Sequence, residues 1–300
     1  MIRAAAIAAN KRVRRLVAGV ALFAVMFGLG MGSLATGKPD PAGRLDRARD
    51  LAFARQPEAA MREVRRALAE LGDDGDRDLR LRALARAAQI TDAQLGESRA
   101  NDALGYYRRI IAEYPKTPEA YDAGVRVSEI LQRMGSDLHA EQQLVAVVNA
   151  FPKQAGVERL LLRACRMAQD NRRYEEANAY ATRLLKEYGQ SELAPEAQSA
   201  IGSALHLEGK HGDAIQAYQV VADRWPRTAE AARALLEEGN CLAETGDLSH
   251  AIARYIEALP DHPDPISVQR TLERVRRRFT AQRMLATGSK AVAFGRGHEE

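Results

Sequence analysis

A bulky ring followed by a chain breaker recurs every 37 residues along most of this chain: Tyr114-Pro115, Phe151-Pro152, Tyr188-Gly189, Trp225-Pro226 and His262-Pro263. A fixed period of this size is the mark of a stacked array. Each unit is one supersecondary element that buries its apolar face only against its neighbours. Units 79–115, 116–152, 153–189, 190–226 and 227–263 align without a gap.

Further columns appear once the units are aligned. Twelve residues before each breaker stands Ala103, Ala140, Ala177, Ala214 or Ala251, and four residues later comes Tyr107, Leu144, Ala181, Tyr218 or Tyr255. That spacing is one helical turn, so both columns share a face. Upstream lies a column of small residues (Thr91, Ser128, Cys165, Gly202, Gly239), and seven residues on a turn column (Ser98, Gly135, Arg172, Gly209, Gly246). The pattern predicts two helices of about 14 residues per unit, joined by a tight turn and ended by the breaker. Lys116-Thr117-Pro118-Glu119 and Arg227-Thr228-Ala229-Glu230 then supply caps for the helices that follow.

Composition agrees with an all-α protein. Hydrophobic residues make up 46% of its 300 residues and aromatics only 5%. Runs of alternating β-branched residues are missing. The net charge is +4, but Arg3, Lys11, Arg12, Arg14 and Arg15 all precede the first acidic residue, Asp40, leaving the rest nearly balanced. A nucleic-acid binder needs a basic face and stacking aromatics, so that class is excluded. Cys165 and Cys241 fall on first helices two units apart, which argues against a disulfide and for two small buried hydrophobes.

The small residue in the first helix, the glycine turn, the alanine, the aromatic one turn on and the terminal proline together resemble the tetratricopeptide repeat family. The resemblance is clearest in GSALHLEGKHGDAIQAYQVVADRWP (202–226) and GNCLAETGDLSHAIARYIEALP (239–260), and it covers about 79–263. The family's usual unit is shorter by three residues, and the extra residues fall between units. That junction is similar to the repeat domains of bacterial envelope proteins such as the periplasmic Tol-Pal coordinator and the outer-membrane assembly lipoprotein. The resemblance implies a right-handed superhelical solenoid over 44–263. Ala60 and Gly72 continue the pattern in a less regular first unit, which makes about six hairpins. The Asp73–Asp78 insert after it fails as a calcium loop, with Leu79 where glycine is needed, and reads as a solvated loop. A capping helix is expected at 264–287, from about Ile266, with six arginines on it, and a flexible tail at 288–300.

Ahead of the solenoid, 1–15 reads as a basic cytoplasmic N-terminus. Leu16 to Thr36 is then free of charge for 21 residues, enough to span a bilayer as a helix. The basic flank predicts that the rest emerges on the far side of the membrane, the periplasm for a bacterial inner membrane. Ser33-Leu34-Ala35 also fits a signal-peptide cleavage site, which would free a periplasmic protein near Ala35, and an organelle presequence is a third reading. A short linker, 37–43, follows.

No catalytic constellation, cofactor motif or metal-ligand spacing appears: His206 and His211 are five apart, and the other histidines are scattered. The chain reads as a binding scaffold and not an enzyme, with no small-molecule substrate. By the resemblance, first helices line a concave groove that takes a protein or peptide partner. The groove residues expected are Asp122, Arg126, Glu129, Arg133, Arg159, Arg163, Arg166, Gln169, Ser203, His206 and Asn240. Arg159, Arg163 and Arg166 form one stripe at i, i+4, i+7, suited to an acidic segment or the C-terminus of a partner, or else an ordinary solvated face. The expected role is a membrane-anchored scaffold in envelope assembly, division or secretion. The alternative is a non-catalytic accessory module of an envelope enzyme.

Overall fold

The computed structural model describes residues 40–94 and 97–295, with the side chains of 97 and 286–295 left aside. Among the described residues there are thirteen α-helices and no strand. They are α1 (Pro41–Phe53), α2 (Pro57–Leu71), α3 (Arg77–Gln94), α4 (Ala100–Glu113), α5 (Pro118–Arg133), α6 (Asp137–Ala150) and α7 (Val157–Asp170). After these come α8 (Tyr174–Tyr188), α9 (Ala194–Leu207), α10 (His211–Arg224), α11 (Ala229–Glu244), α12 (Leu248–Ala258) and α13 (Pro265–Gly295). Six hairpins and one final helix result. Leu16–Thr36 lies outside the described residues, and no described helix is long and apolar enough to cross a membrane.

The turn and cap chemistry is local. Gly135, Gly209 and Gly246 sit at φ +73°, +78° and +91°, which only glycine adopts at little cost. Arg172 holds the same place at φ 58°. Ser98 departs from this column: it lies in a 3₁₀ turn, Glu97–Arg99, that links a longer α3 to α4. At two junctions a threonine hydroxyl closes the corner. Thr228 donates to the Trp225 carbonyl at 2.8 Å and accepts from the Ala231 amide at 3.1 Å, and Thr117 does the same between Tyr114 and Ala120. Asp76 caps α3 by accepting from the amides of Asp78 and Leu79, while Asp73 pairs with Arg80, so the acidic insert serves as cap and strut.

Packing follows the columns. Ala103, Ala140, Ala177, Ala214 and Ala251 are all fully buried, as are Leu144 and Leu184. Each helix packs on its neighbours in sequence, and close approaches between helices two apart join α1 to α3, α7 to α9 and α9 to α11. All of these are first helices of hairpins. First helices crowd together, so they form the inner, concave side. At the C-terminal end α13 closes the core with Val268, Leu272 and Val275 against Tyr255, Leu248 and Ala258. It runs past Thr287, where the sequence pattern places the start of a flexible tail, to Gly295. Gly288 costs a helix only about 1 kcal/mol against alanine and does not end it.

Two carboxylates are buried between hairpins. Glu141 accepts from Arg173 and from the Tyr180 hydroxyl, both at 2.7 Å, and Glu238 accepts from Arg254 and Gln219, both at 2.9 Å. An arginine meets the charge of each acid, as burial requires; both oxygens of Glu141 are bonded, whereas Glu238 takes both bonds on Oε1 and its Oε2 has no hydrogen-bond partner among the described residues.

Candidate functional site

The first helices leave shallow depressions along the inner side. One, of about 630 Å³, lies between α3, α5 and the start of α7, with Gln89, Tyr121, Asp122, Arg126, Glu129 and Arg159 among its walls. Another, of about 430 Å³, lies between α7, α9 and α11 and is bounded by Arg166, Gln169, Glu196, Ser203 and Arg233. Half-buried Tyr121 stands edge-on to Phe151, ring centroids 5.6 Å apart. Burial, with Asp122 and Glu158 near, raises its phenol above the ordinary value, so it stays a neutral donor.

The expected groove arginines are on this side but mostly paired. Arg126 meets Glu129 at 2.8 Å, Arg163 donates to Gln132 at 2.6 Å and lies 3.7 Å from Glu129, Arg166 pairs with Glu196, and Arg133 pairs with Asp92. Arg159 alone of the five has no ion pair among the described residues, and it borders the first depression and also a separate one beside the end of α8 and residues 189–193. Gln169 is spent on the Ala200 carbonyl at 2.9 Å, and Asn240 is held by the Tyr255 hydroxyl at 3.0 Å and by Glu237 at 3.1 Å. Ser203 borders the second depression.

His206 has different company. Its Nε2 lies 2.7 Å from Glu244 Oε2, and its ring centroid is 5.4 Å from that of His211. Cys241, wholly buried, completes a group in which one donor atom each from His206, His211 and Cys241 lie within 4.8 Å of one another. Sequence spacing gives no sign of this group because the three residues sit on three helices of two adjacent units. Burial pushes the Cys241 thiol up to about 12, and the Cys165 thiol likewise, so in this state neither is a thiolate nucleophile. Both cysteines are free.

No family model matches the chain, and no curated protein does. Solved structures do. RapI in its apo form is 14% identical, with 80% of this chain and 72% of that one covered and a TM-score of 0.54. The Naa15/Naa10 complex bound to HypK-THB is 16% identical over 87% of this chain and 37% of that one, with a TM-score of 0.51. A tetratricopeptide repeat protein from Parabacteroides merdae is 12% identical over 86% and 94%, at 0.46. The chain has a tetratricopeptide-repeat fold. In such a tetratricopeptide-repeat array the inner helices, not the turns, present the widest continuous surface, and the two depressions above lie on it. No enzyme family is indicated by these similarities.

Proposed function

We propose that the chain is a membrane-tethered tetratricopeptide-repeat scaffold that holds an extended segment of a protein partner along its inner helices. It would work in cell-envelope assembly, division or secretion, with the solenoid outside the cytoplasm. The observation that carries the binding role is Arg159, an exposed guanidinium without an ion-pair partner among the described residues, beside Tyr121 and Asp122. A planar cation next to an aromatic wall suits a carboxylate presented on an extended peptide. The neighbouring acids, Asp122 and Glu129, set the register by rejecting acidic residues elsewhere on the ligand. The tether rests on the uncharged run Leu16–Thr36 alone.

Selection of random peptides on the full-length protein, followed by anisotropy of the recovered sequences, tests this. The recovered peptides should carry an acid or depend on a free C-terminus. Arg159→Glu should weaken them about tenfold or more, a step of about 1.4 kcal/mol. Arg183→Glu, on a second helix where Arg183 pairs with Glu187, should not. Peptides indifferent to Arg159→Glu would sink the assignment.

A further inference from the structure

We infer that His206, His211, Cys241 and Glu244 form a binding site for a late first-row divalent metal ion of the zinc class. His206 ends α9, His211 opens α10, and Cys241 and Glu244 stand one turn apart at the end of α11. One donor atom from each of the two histidines and the cysteine already lie within 4.8 Å of one another. A tetrahedral zinc ion, with bonds of about 2.0–2.3 Å, holds such atoms about 3.5 Å apart, so closure asks only for side-chain shifts of the order of 1 Å. Glu244 Oε2 faces both rings, 2.7 Å from His206 Nε2 and 3.6 Å from His211 Nδ1, and completes the set.

Two observations point to a ligand and not to ordinary packing. The Nδ1 atom of His211 is buried and makes no hydrogen bond among the described residues, and the Glu244 carboxylate stands 3.6 Å from it. Among the described residues Glu70, Ser128, Ser199 and Glu238 also carry an unmet buried atom, but His211 is the one of the five that stands in a group of metal-ligating side chains. The repeat also supplies its own control. One unit earlier the same four positions hold Gln169, Tyr174, Ala204 and Leu207, so the solenoid joint needs no imidazole or thiol there. His206 and His211 are partly exposed and Glu244 more so, which leaves a path for the ion, while the thiol lies at the buried end. On binding, the metal–sulfur bond forms as the thiol proton leaves to solvent. Imidazole and thiolate donors together favour zinc, cobalt or copper over magnesium or calcium. The bound ion would bolt the turn of the fifth hairpin to the first helix of the sixth.

The test is titration of the purified full-length protein in detergent with Co²⁺ alone, then competition by Zn²⁺ against a chelator. One ion per protein molecule is expected, with intense visible bands of a tetrahedral site and a near-ultraviolet thiolate-to-cobalt band. Cys241→Ser should abolish that band, and Cys165→Ser should leave it. His206→Gln, His211→Gln and Glu244→Gln, at partly or fully exposed positions, should each weaken Zn²⁺ by about 10–100-fold with the helical spectrum unchanged. Absence of a thiolate band, its survival in Cys241→Ser, or Zn²⁺ affinity unmoved by the histidine variants would overturn the site.

Discussion

The ring of Tyr255 lies directly over the backbone of Gly239: a methyl group added at Gly239 would stand 2.6 Å from its Cε1 and 2.9 Å from its Cδ1. Gly202 and Tyr218 stand in the same relation, at 2.7 and 2.8 Å. The helices of a hairpin therefore approach as closely as the small column allows. The small column holds Cys165 where the large one holds Ala181, and Ser128 where it holds Leu144, whereas Thr91 goes with Tyr107, all of them buried.

Gly239→Ala should accordingly lower stability by about 1–3 kcal/mol through overpacking, seen as a drop in the thermal midpoint followed by circular dichroism. Adding Tyr255→Leu should restore part of the loss by clearing the ring. No change on Gly239→Ala would mean the two helices move apart freely.

Arg172 occupies a left-handed turn position that glycine fills in three other hairpins. Arg172→Gly relieves a backbone cost of about 1–2 kcal/mol and adds a smaller unfolded-state entropy cost. The net expected is a gain of about 0.5–1 kcal/mol, read in urea unfolding. A loss would show that the arginine side chain makes up for its backbone.

Arg173→Ala leaves Glu141, fully buried, with only the Tyr180 hydroxyl. Removing one partner of a buried pair costs about 3–5 kcal/mol, whereas replacing both by apolar groups is nearly neutral. Arg173→Ala should destabilise strongly, and Arg173→Leu with Glu141→Leu much less. Equal losses in the two variants would mean that the charge pair itself stabilises the joint.

Burial alone would raise the Glu113 carboxyl, but Arg80 at 3.0 Å and Arg109 at 3.1 Å outweigh it and hold it below its ordinary value. A depressed folded value means that this carboxylate adds stability above the ordinary carboxylate range, near about pH 4.3. The contribution is lost as the pH falls through the lowered value. Glu113→Gln should therefore be less stable than the wild type at neutral pH and converge on it in acid, which thermal midpoints across pH will show. A constant gap at all pH values would place the cause in packing.

Much of this architecture is legible in the sequence because each rule is local. Ala103 through Ala251, the breakers, and the Thr117 and Thr228 caps fix helix ends and hairpin turns within one unit. What escaped lies between units. Nothing in the sequence around Glu141 or Glu238 marks them as buried: Arg173 and Tyr180 reach Glu141 from the next unit, and Gln219 reaches Glu238 from the preceding one, with Arg254 added from the second helix of its own hairpin. The groove arginines read as a stripe, yet Arg166 meets Glu196, 30 residues away, and Arg163 meets Gln132, 31 residues away. His206, His211 and Cys241 escaped for the same reason. Ser98 fell in the turn column by number, but α3 runs on to Gln94 and Ser98 lies in the 3₁₀ turn Glu97–Arg99.

The inner helices are the proposed binding surface, and cross-linking tests that most directly. A benzophenone amino acid placed at 122 on α5, or at 142 on the second helix α6, both exposed positions, should be irradiated with a selected peptide bound. Capture from 122 and none from 142 is expected. Capture from 142 with none from 122 would put the ligand on the outer side and overturn the groove.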